Sequence, residues 1–268
     1  MKITDFNSNN NNEWAIILGG SSGLGLASAK KLAAHGMHNC IIHRTRRSKI
    51  AAFEMEIETL RSNGSQILEF NLDAFQSKNQ EKVIEAIKEK GGVVKVLLHS
   101  LAKGNLKPIY SENSEQQSLT ATDFDLTITA MATSLYSWAK TILDANCFAK
   151  GSRILSFTSE GSKKPLPNYA AVSAAKAALE AITRSLAYEL APLGITSNCI
   201  QAGVTDTESL RLIPNSGTIL EHAKNRNPGK RLTTPEDVAN MVYLLLKPEA
   251  NWVNGTVIEV DGGEHLSP

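Results

Sequence analysis

Short apolar runs alternate with longer amphipathic stretches along almost the whole chain. Each short run predicts a buried strand, and each longer stretch, in which apolar residues recur at helical spacing, predicts a helix. The predicted strands cover residues 14–18, 39–43, 67–70, 93–99, 153–158, 196–200 and 256–260. The predicted helices cover residues 24–35, 50–62, 79–90, 123–146, 170–191 and 235–246. This alternation indicates an α/β protein with one doubly wound parallel sheet of about seven strands and helices on both faces.

The length of 268 residues suits one large domain of this class. No low-complexity linker interrupts the alternation, so we expect residues 13–268 to form a single domain. Residues 1–12 include the run Asn9–Asn12, and we predict that they form a disordered leader.

Charge and cysteine usage exclude several classes of partner. The chain has 28 Lys and Arg residues against 27 Asp and Glu residues, a balance that argues against nucleic-acid binding and a polybasic membrane anchor. No apolar run approaches the ~18 residues that a membrane span needs. Cys40, Cys147 and Cys199 are too far apart for a CxxC metal pattern and are expected to pack as small apolar residues. We therefore expect a cytoplasmic protein with no nucleic-acid partner, no membrane partner and no metal.

A glycine-rich turn follows the first predicted strand directly. Gly19, Gly23 and Gly25 have G-x3-G-x-G spacing. Small residues allow the backbone to turn tightly and to approach a pyrophosphate, which then lies at the N-terminus of the following helix. Because the turn lies at the first strand-to-helix junction, we predict that it binds a dinucleotide. The predicted contacts in this turn are Gly19, Ser21, Ser22, Gly23, Leu24 and Gly25.

Basic residues follow the second predicted strand. Arg44, Arg46 and Arg47 stand there, and the next carboxylate is Glu54. Folds that select NAD place an acidic residue at this point to hold the ribose hydroxyls, whereas arginines pair with a 2′-phosphate. We therefore predict NADPH, bound by Arg44 and Arg46, although a solvated basic helix start would have the same composition. Asp73, after the third strand, either accepts a hydrogen bond from the adenine amino group or caps its own turn.

The candidate catalytic residues lie between the end of the fifth predicted strand and the first turns of the following predicted helix. They are Ser159, Tyr169 and Lys176. With Gly161 and the glycine turn, this segment resembles the short-chain dehydrogenase/reductase family, as do Asn198–Gly203 and Val260–Gly263. The resemblance covers nearly the whole chain after residue 12. It implies a Rossmann-type fold and a homotetramer in which the two long helices, at about 124–146 and 170–191, pack against another subunit. It also implies cofactor contacts at Lys176, Ser100, Leu101, Ala102, Gly203, Thr205 and Thr207.

The position of the tyrosine separates two branches of that family. Most members have Tyr-x3-Lys, but here Val172 stands four residues before Lys176 and Tyr169 stands seven before it. Tyr-x6-Lys resembles the bacterial enoyl-acyl-carrier-protein reductases, and with this glycine spacing their NADPH-using subgroup. His99–Ala102 and Tyr136–Trp138 resemble segments of the same enzymes. The resemblance implies an enoyl thioester substrate, on acyl carrier protein or coenzyme A, contacted by Tyr169 and Tyr136.

Helix geometry gives this spacing a chemical meaning. Seven residues are close to two helical turns, so Tyr169 and Lys176 lie on one face. Moving the phenol back by three residues shifts it ~4.5 Å along the helix axis. Such a shift suits conjugate reduction better than ketone reduction, because the carbon that receives hydride is separated from the thioester oxygen.

Two other functions stay open. Ser159 lies 17 residues before Lys176, where ketoreductases of the family keep their catalytic serine. Reduction of a 3-oxoacyl thioester or another carbonyl is therefore the alternative. A catalytically idle NADP-binding sensor is less consistent with the retained Tyr169 and Lys176.

The segment at residues 203–227, called the flap below, is amphipathic but interrupted at Pro214–Gly217. Such an interruption is typical of a mobile lid, and we predict that the flap closes over the acyl chain. The family usually has Pro-Gly at its start, whereas this chain has Ala202 and Gly203, which leaves the backbone path there open.

Overall fold

Seven parallel strands form one sheet in the computed structural model, which describes residues 6, 12–62, 64–112, 117–213 and 215–267. The strand order is β3-β2-β1-β4-β5-β6-β7. The strands are β1 Glu13–Leu18, β2 His38–His43, β3 Ile67–Asn71, β4 Val93–His99, β5 Phe148–Thr158, β6 Thr196–Ala202 and β7 Val257–Val260. The chain order reverses between β1 and β4, and ligands of such sheets bind beyond the carboxyl ends of the strands at this point. The predicted doubly wound, Rossmann-type sheet is confirmed.

Helices cover both faces of the sheet. They are α1 Gly23–Ala34, α2 Arg47–Ser62, α3 Ser77–Glu89, α4 Ala121–Ile128, α5 Ser134–Asp144, α6 Ala170–Leu190, α7 Glu208–Arg211, α8 Ser216–Arg226 and α9 Pro235–Leu245. One apolar cluster packs α1, α2 and α9 on the sheet, through side chains such as Leu32 and Val242. The other packs α3, α5 and α6 on the opposite face, through side chains such as Trp138 and Leu179. In the part of the chain that the structure describes, no helix is both long and apolar enough to span a bilayer.

The long helix predicted at 123–146 is divided by a π-helical turn at Thr129–Thr133. The Ser134 hydroxyl donates to the carbonyl of Ala130 at 2.9 Å, directly at this turn. Serine hydroxyls that bond back to the helix backbone bend helices, and π turns recur at functional sites. Here the turn carries the buried residues Ala130 and Met131 toward α6.

Most of the predicted disordered leader lies outside the described residues. Phe6 and Asn12 are described, and both contact the domain. Phe6 is buried against Tyr243, with ring centroids 6.0 Å apart, and its backbone N–H donates to His35 O at 3.0 Å. The side-chain oxygen of Asn12 accepts a hydrogen bond from Trp14 Nε1 at 2.9 Å. These two residues contact the domain, and the disordered leader stays a prediction for the rest of the segment.

Candidate active site

The glycine turn after β1 folds tightly onto itself and onto the end of β4. Gly19 has a positive φ of 81°, and a Cβ there would lie 2.5 Å from Ser100 O. A Cβ on Gly25 would lie 2.4 Å from Gly19 O. Ser22 stands exposed at the start of α1. This turn of glycines and serines at a helix N-terminus fits the pyrophosphate of a dinucleotide.

The other residues predicted to hold the dinucleotide surround this turn. Ser100 donates its N–H to Leu18 O at 2.9 Å, and a Leu101 methyl lies 3.3 Å from the position of a Cβ on Gly19. A Thr207 methyl lies 3.4 Å from the position of a Cβ on Gly23. The carboxyl ends of β1 and β4 and the start of the flap therefore meet at one place. The predicted residues Ser21, Leu24 and Ala102 lie in the same turns.

Arg44 and Arg46 lie exposed between β2 and α2. The guanidinium of Arg44 is 3.9 Å from Asp73 Oδ2. The other carboxylate oxygen of Asp73 accepts a hydrogen bond from Phe75 N at 3.0 Å. The capping role considered for Asp73 is therefore present, and the carboxylate also lies beside one of the two arginines.

Sequence reasoning missed the residue that shapes this arginine turn. His43 is buried at the end of β2, with Nδ1 2.8 Å from Thr45 Oγ1 and Nε2 3.1 Å from Glu69 Oε1. Burial lowers its pKa, although the carboxylate of Glu69 opposes this shift. The ring therefore links β3 to the turn that carries Arg44 and Arg46. The sequence signal that could have found His43 is its position, because a histidine occupies the last place of an otherwise apolar predicted strand.

Tyr169 and Ser159 are brought together across the carboxyl end of β5. Tyr169 stands at the start of α6, after Asn168, whose φ of 60° is left-handed. The Ser159 side chain lies near enough to the phenol to lower its pKa. A Cβ on Gly161 would lie 2.6 Å from the Tyr169 ring, so the turn packs directly on the phenol. Burial raises the pKa of Tyr169, partly offset by the Ser159 side chain, and the phenol is therefore a proton-bearing donor at neutral pH.

Lys176 lies two turns further along α6 and is buried. Its ammonium donates to Phe157 O at 2.7 Å. Burial lowers its pKa to about 8. An ammonium has three donors, so this contact leaves capacity for the ribose hydroxyls that the resemblance assigns to it.

Val172 occupies the position at which most family members have the tyrosine. It is buried in an apolar cluster with Ala130, Met131 and Ala175. A Cβ on Gly104 would lie 2.6 Å from Val172 Cγ2. The place four residues before the lysine is therefore closed and apolar, and Tyr169 is the described phenol nearest to it on α6.

His99 is a buried wall residue at the end of β4. Its Nε2 lies 2.8 Å from Ser134 Oγ, next to the π-helical turn. Burial lowers its pKa to about 3, and the charge of Lys176 adds to this shift. The imidazole is therefore neutral at physiological pH, and we assign His99 no role in proton transfer.

A cavity of about 340 Å³ opens beside Tyr169. Its walls combine apolar side chains with the start of α6. It is lined by Lys107, Pro108, Ile109, Tyr110, Leu166, Pro167, Asn168, Tyr169 and Ala170. Tyr136 is 53% exposed on α5 and is not among these lining residues. Its exposure excludes core packing in this subunit, and its contact with substrate stays a prediction.

The flap contains two helices, α7 and α8, and its first end is held at the glycine turn. Thr205 donates to Gly203 O at 2.9 Å, and Thr207 caps α7 by accepting from Leu210 N at 3.2 Å. Glu208 pairs with Lys49 of α2 at 2.7 Å. The flap therefore begins in contact with both predicted parts of the dinucleotide site.

The other end of the flap is held at the turn that follows β5 and contains Glu160. Arg226 closes α8 and contacts Glu160 at 2.5 Å and Glu264 at 2.7 Å. Glu264 is buried and also accepts a hydrogen bond from Val204 N at 3.0 Å. A Cβ on Gly203 would lie 2.8 Å from Glu264 Oε2, so the glycine permits this close packing. The sequence left the backbone path after β6 open, because this chain lacks the proline that the family usually has there. These contacts define that path.

Comparison with known proteins places these features in a family. The sequence profile of the family described as enoyl-(acyl carrier protein) reductase matches residues 19–265. An uncharacterized oxidoreductase of Bacillus subtilis (strain 168) is 30% identical over 256 residues, 93% of this chain and 95% of that protein. The 3-oxoacyl-[acyl-carrier-protein] reductase MabA of Mycobacterium bovis is 27% identical over 248 residues, 92% of this chain and 91% of that protein.

Solved structures share the fold over nearly the whole chain. The enoyl-[acyl-carrier-protein] reductase (NADH) of Aquifex aeolicus VF5 has a TM-score of 0.81 at 22% identity, covering 96% of this chain and 97% of that one. A short-chain dehydrogenase of Burkholderia cenocepacia J2315, solved in complex with NADP, has a TM-score of 0.79 at 26% identity. That match covers 95% of this chain and 98% of that one.

Proposed function

The chain belongs to the short-chain dehydrogenase/reductase family, and we propose that it reduces the trans-2 double bond of enoyl thioesters with NADPH. Membership makes it an oxidoreductase that uses a nicotinamide dinucleotide. The choice of enoyl substrate depends on one observation. Tyr169, not residue 172, presents the phenol, and Val172 closes the usual position with buried methyl groups.

The chemistry follows from where negative charge develops. When bound, the reduced nicotinamide supplies a hydride to the β-carbon of the substrate. The electron pair of the double bond then moves toward the thioester oxygen, and protonation of the α-carbon completes the saturated thioester. The Tyr169 phenol donates a hydrogen bond to that oxygen and stabilises the charge as it appears. The raised pKa of Tyr169 supports this role, because the phenol keeps its proton at neutral pH.

Lys176 has a binding role in this proposal. Its ammonium is buried and held by Phe157 O, so it is oriented before any ligand arrives. Its remaining donors would hold the nicotinamide ribose hydroxyls, and its charge would lower the energy of any partial phenolate at Tyr169.

Crotonyl and acetoacetyl thioesters separate the two candidate reactions. Purified protein is mixed with NADPH and each substrate, and the loss of NADPH absorbance is followed. Turnover with crotonyl thioester alone supports enoyl reduction. Turnover with acetoacetyl thioester alone would overturn it, and turnover with neither would leave the idle sensor as the better interpretation.

Carbonyl reduction is the second candidate because of Ser159. This side chain lies near the Tyr169 phenol and affects its pKa, an arrangement that can also polarise a substrate carbonyl. The similarity to a mycobacterial 3-oxoacyl reductase favours the same reading.

The cofactor preference and the assembly are further parts of the proposal. Two exposed arginines after β2, Arg44 and Arg46, support NADPH over NADH. Exposed apolar side chains on the two long helical segments support a homotetramer: Leu126 is 56% exposed and Tyr188 is 85% exposed. A monomeric mass by light scattering at micromolar concentration would rule out the assembly.

A further inference from the structure

A second ionisable group is buried on α6, one helical turn beyond Lys176. Glu180 is 7% exposed, as is Lys176. Its carboxylate accepts a hydrogen bond from Thr158 Oγ1 at 2.6 Å. Residues four apart on a helix lie on the same face. The two groups form no direct ion pair, but the charge of the Glu180 carboxylate raises the pKa of Lys176 against the larger effect of burial.

Burying two charged groups costs free energy of hydration unless the two charges compensate each other. An isolated buried carboxylate loses its hydration, and one hydroxyl donor replaces only a small part of it. The same holds for the ammonium of Lys176, whose described acceptor is a single backbone carbonyl, Phe157 O. Each group therefore supplies the opposite charge that the other lacks.

The other ionisable groups described around Lys176 do not supply the negative charge that compensates its ammonium. His99 of β4 is neutral, and burial raises the pKa of Cys199 of β6, so its thiol keeps its proton. Tyr169 likewise keeps its proton. On the remaining elements packed against α6, Asp125 of α4 is exposed to solvent and Asp144 of α5 pairs with Lys140. Asp123 of α4 pairs with Lys107, and Glu160 pairs with Arg226 and Lys164.

We propose that Glu180 is a positioning residue that keeps the Lys176 ammonium charged and directed at the cofactor ribose. This inference depends on the role proposed above for Lys176. Glu180 touches neither the substrate nor the cofactor and acts only through Lys176. The Thr158 hydroxyl, from the strand that also carries Phe157, fixes the carboxylate on the side of the lysine.

The test is the pH dependence of NADPH binding, measured by calorimetry from pH 6.5 to 9.5. In the unmodified protein the affinity should fall as Lys176 loses its proton, around pH 8. Glu180→Gln keeps a hydrogen-bond acceptor for Thr158 but removes the charge, and should move this fall about one pH unit lower. Glu189→Gln, an exposed carboxylate on the same helix, is the matched control and should leave it in place. An unmoved pH profile in Glu180→Gln would overturn the proposal.

A second probe separates this inference from the proposed reaction. Adenosine 2′,5′-bisphosphate lacks the nicotinamide ribose, so its binding should show the same pH dependence in all three proteins. Both measurements use no enoyl substrate. Failure to reduce crotonyl thioester would therefore sink the proposed function while leaving the binding result for Glu180 intact.

A double-mutant cycle covers the case in which Glu180→Gln is folded but too unstable for the binding titration. Lys176→Met and Glu180→Gln are combined, and unfolding by urea is followed for the four proteins. If the charges compensate each other, the double variant should be more stable than Glu180→Gln alone. A double variant that is no more stable than Glu180→Gln would overturn the proposal.

Discussion

The Val172 side chain packs against the backbone at Gly104, so closely that a Cβ there would lie 2.6 Å from Val172 Cγ2. Gly104 also lies near Thr127 and Met131, on the helices that carry the π turn. The segment after β4 and the helix that carries Tyr169 are therefore fitted to each other without space for a larger group at either position.

Gly104→Ala should destabilise the protein, because its new methyl group overlaps Val172. Overpacking of this kind costs about 1–3 kcal/mol. Val172→Ala removes the overlapping methyl groups and should recover part of that loss in the double variant. Gly217→Ala, where no described atom lies within 4 Å, is the control. Urea unfolding measures all four, and equal losses for Gly104→Ala and Gly217→Ala would show that the contact is not tight.

Tyr169→Phe should reduce turnover of the enoyl thioester by about 10²–10³, or about 2.7–4 kcal/mol, since one donor to the developing charge is lost. NADPH binding, measured by fluorescence, should persist. Tyr110→Phe changes a phenol that lines the same cavity and is the control. If Ser159→Ala abolished turnover while Tyr169→Phe left it intact, carbonyl reduction would replace the proposed reaction.

Arg46→Ala should weaken NADPH binding roughly 10- to 100-fold, the range for a lost hydrogen bond to a charged group. NADH has no 2′-phosphate, so its binding affinity should change little. Arg61→Ala removes an exposed arginine from the last turn of α2 and serves as the comparison. Arg44→Ala tests the second arginine in the same titration. Equal losses for the two cofactors would contradict the assignment of Arg46 to the phosphate.

The stability of the protein should depend on His99 in acid. Its pKa is about 3 in the folded protein, lowered mainly by burial, against 6.5 for a solvent-exposed histidine in the unfolded chain. The unfolded chain therefore binds the proton first as the pH falls below 6.5, and stability is lost toward pH 3 by up to about 1.4 kcal/mol per unit. The His99→Gln variant should lose less folding stability between pH 6.5 and pH 3 than the unmodified protein. His222→Gln, an exposed histidine on α8, should follow the unmodified curve in urea unfolding.

Arg226→Gln should loosen the flap, because it leaves the buried Glu264 carboxylate without its cation. Trypsin or chymotrypsin cleavage within the flap should accelerate roughly tenfold, or about 1.4 kcal/mol of local opening. NADPH with crotonyl thioester should slow cleavage of the unmodified protein. Arg211→Gln breaks an exposed ion pair with Asp206 in the same flap and is the control. Cleavage that neither ligands nor Arg226→Gln alter would contradict a lid.

The sequence predicted the features that depend on local spacing. Alternating apolar runs identified the parallel sheet, and the seven-residue interval between Tyr169 and Lys176 placed both on one face of α6. It did not predict the π turn at Thr129–Thr133, because one extra residue in a turn barely changes the apolar spacing of a long helix.

Long-range polar pairs were beyond this reasoning. The Glu180 carboxylate resembles any helix-surface glutamate until the fold brings Thr158 against it. His43 likewise acquires its meaning from Glu69, which lies 26 residues away on the next strand. Patterns of apolar residues carry no information about which buried polar groups will meet.

The ion pair between Lys49 and Glu208 joins the start of α2 to the start of the flap. Lys49 stands three residues after Arg46, in the turn proposed to hold the 2′-phosphate. If the flap closes over the acyl chain as predicted, a dinucleotide that orders this turn would also favour the closed flap, and an acyl chain under the flap would favour the ordered turn. Thermodynamic linkage requires the two effects to be equal, so each ligand raises the affinity for the other by the same factor. Salt screens this exposed ion pair, so high ionic strength should weaken the cooperativity between the two ligands.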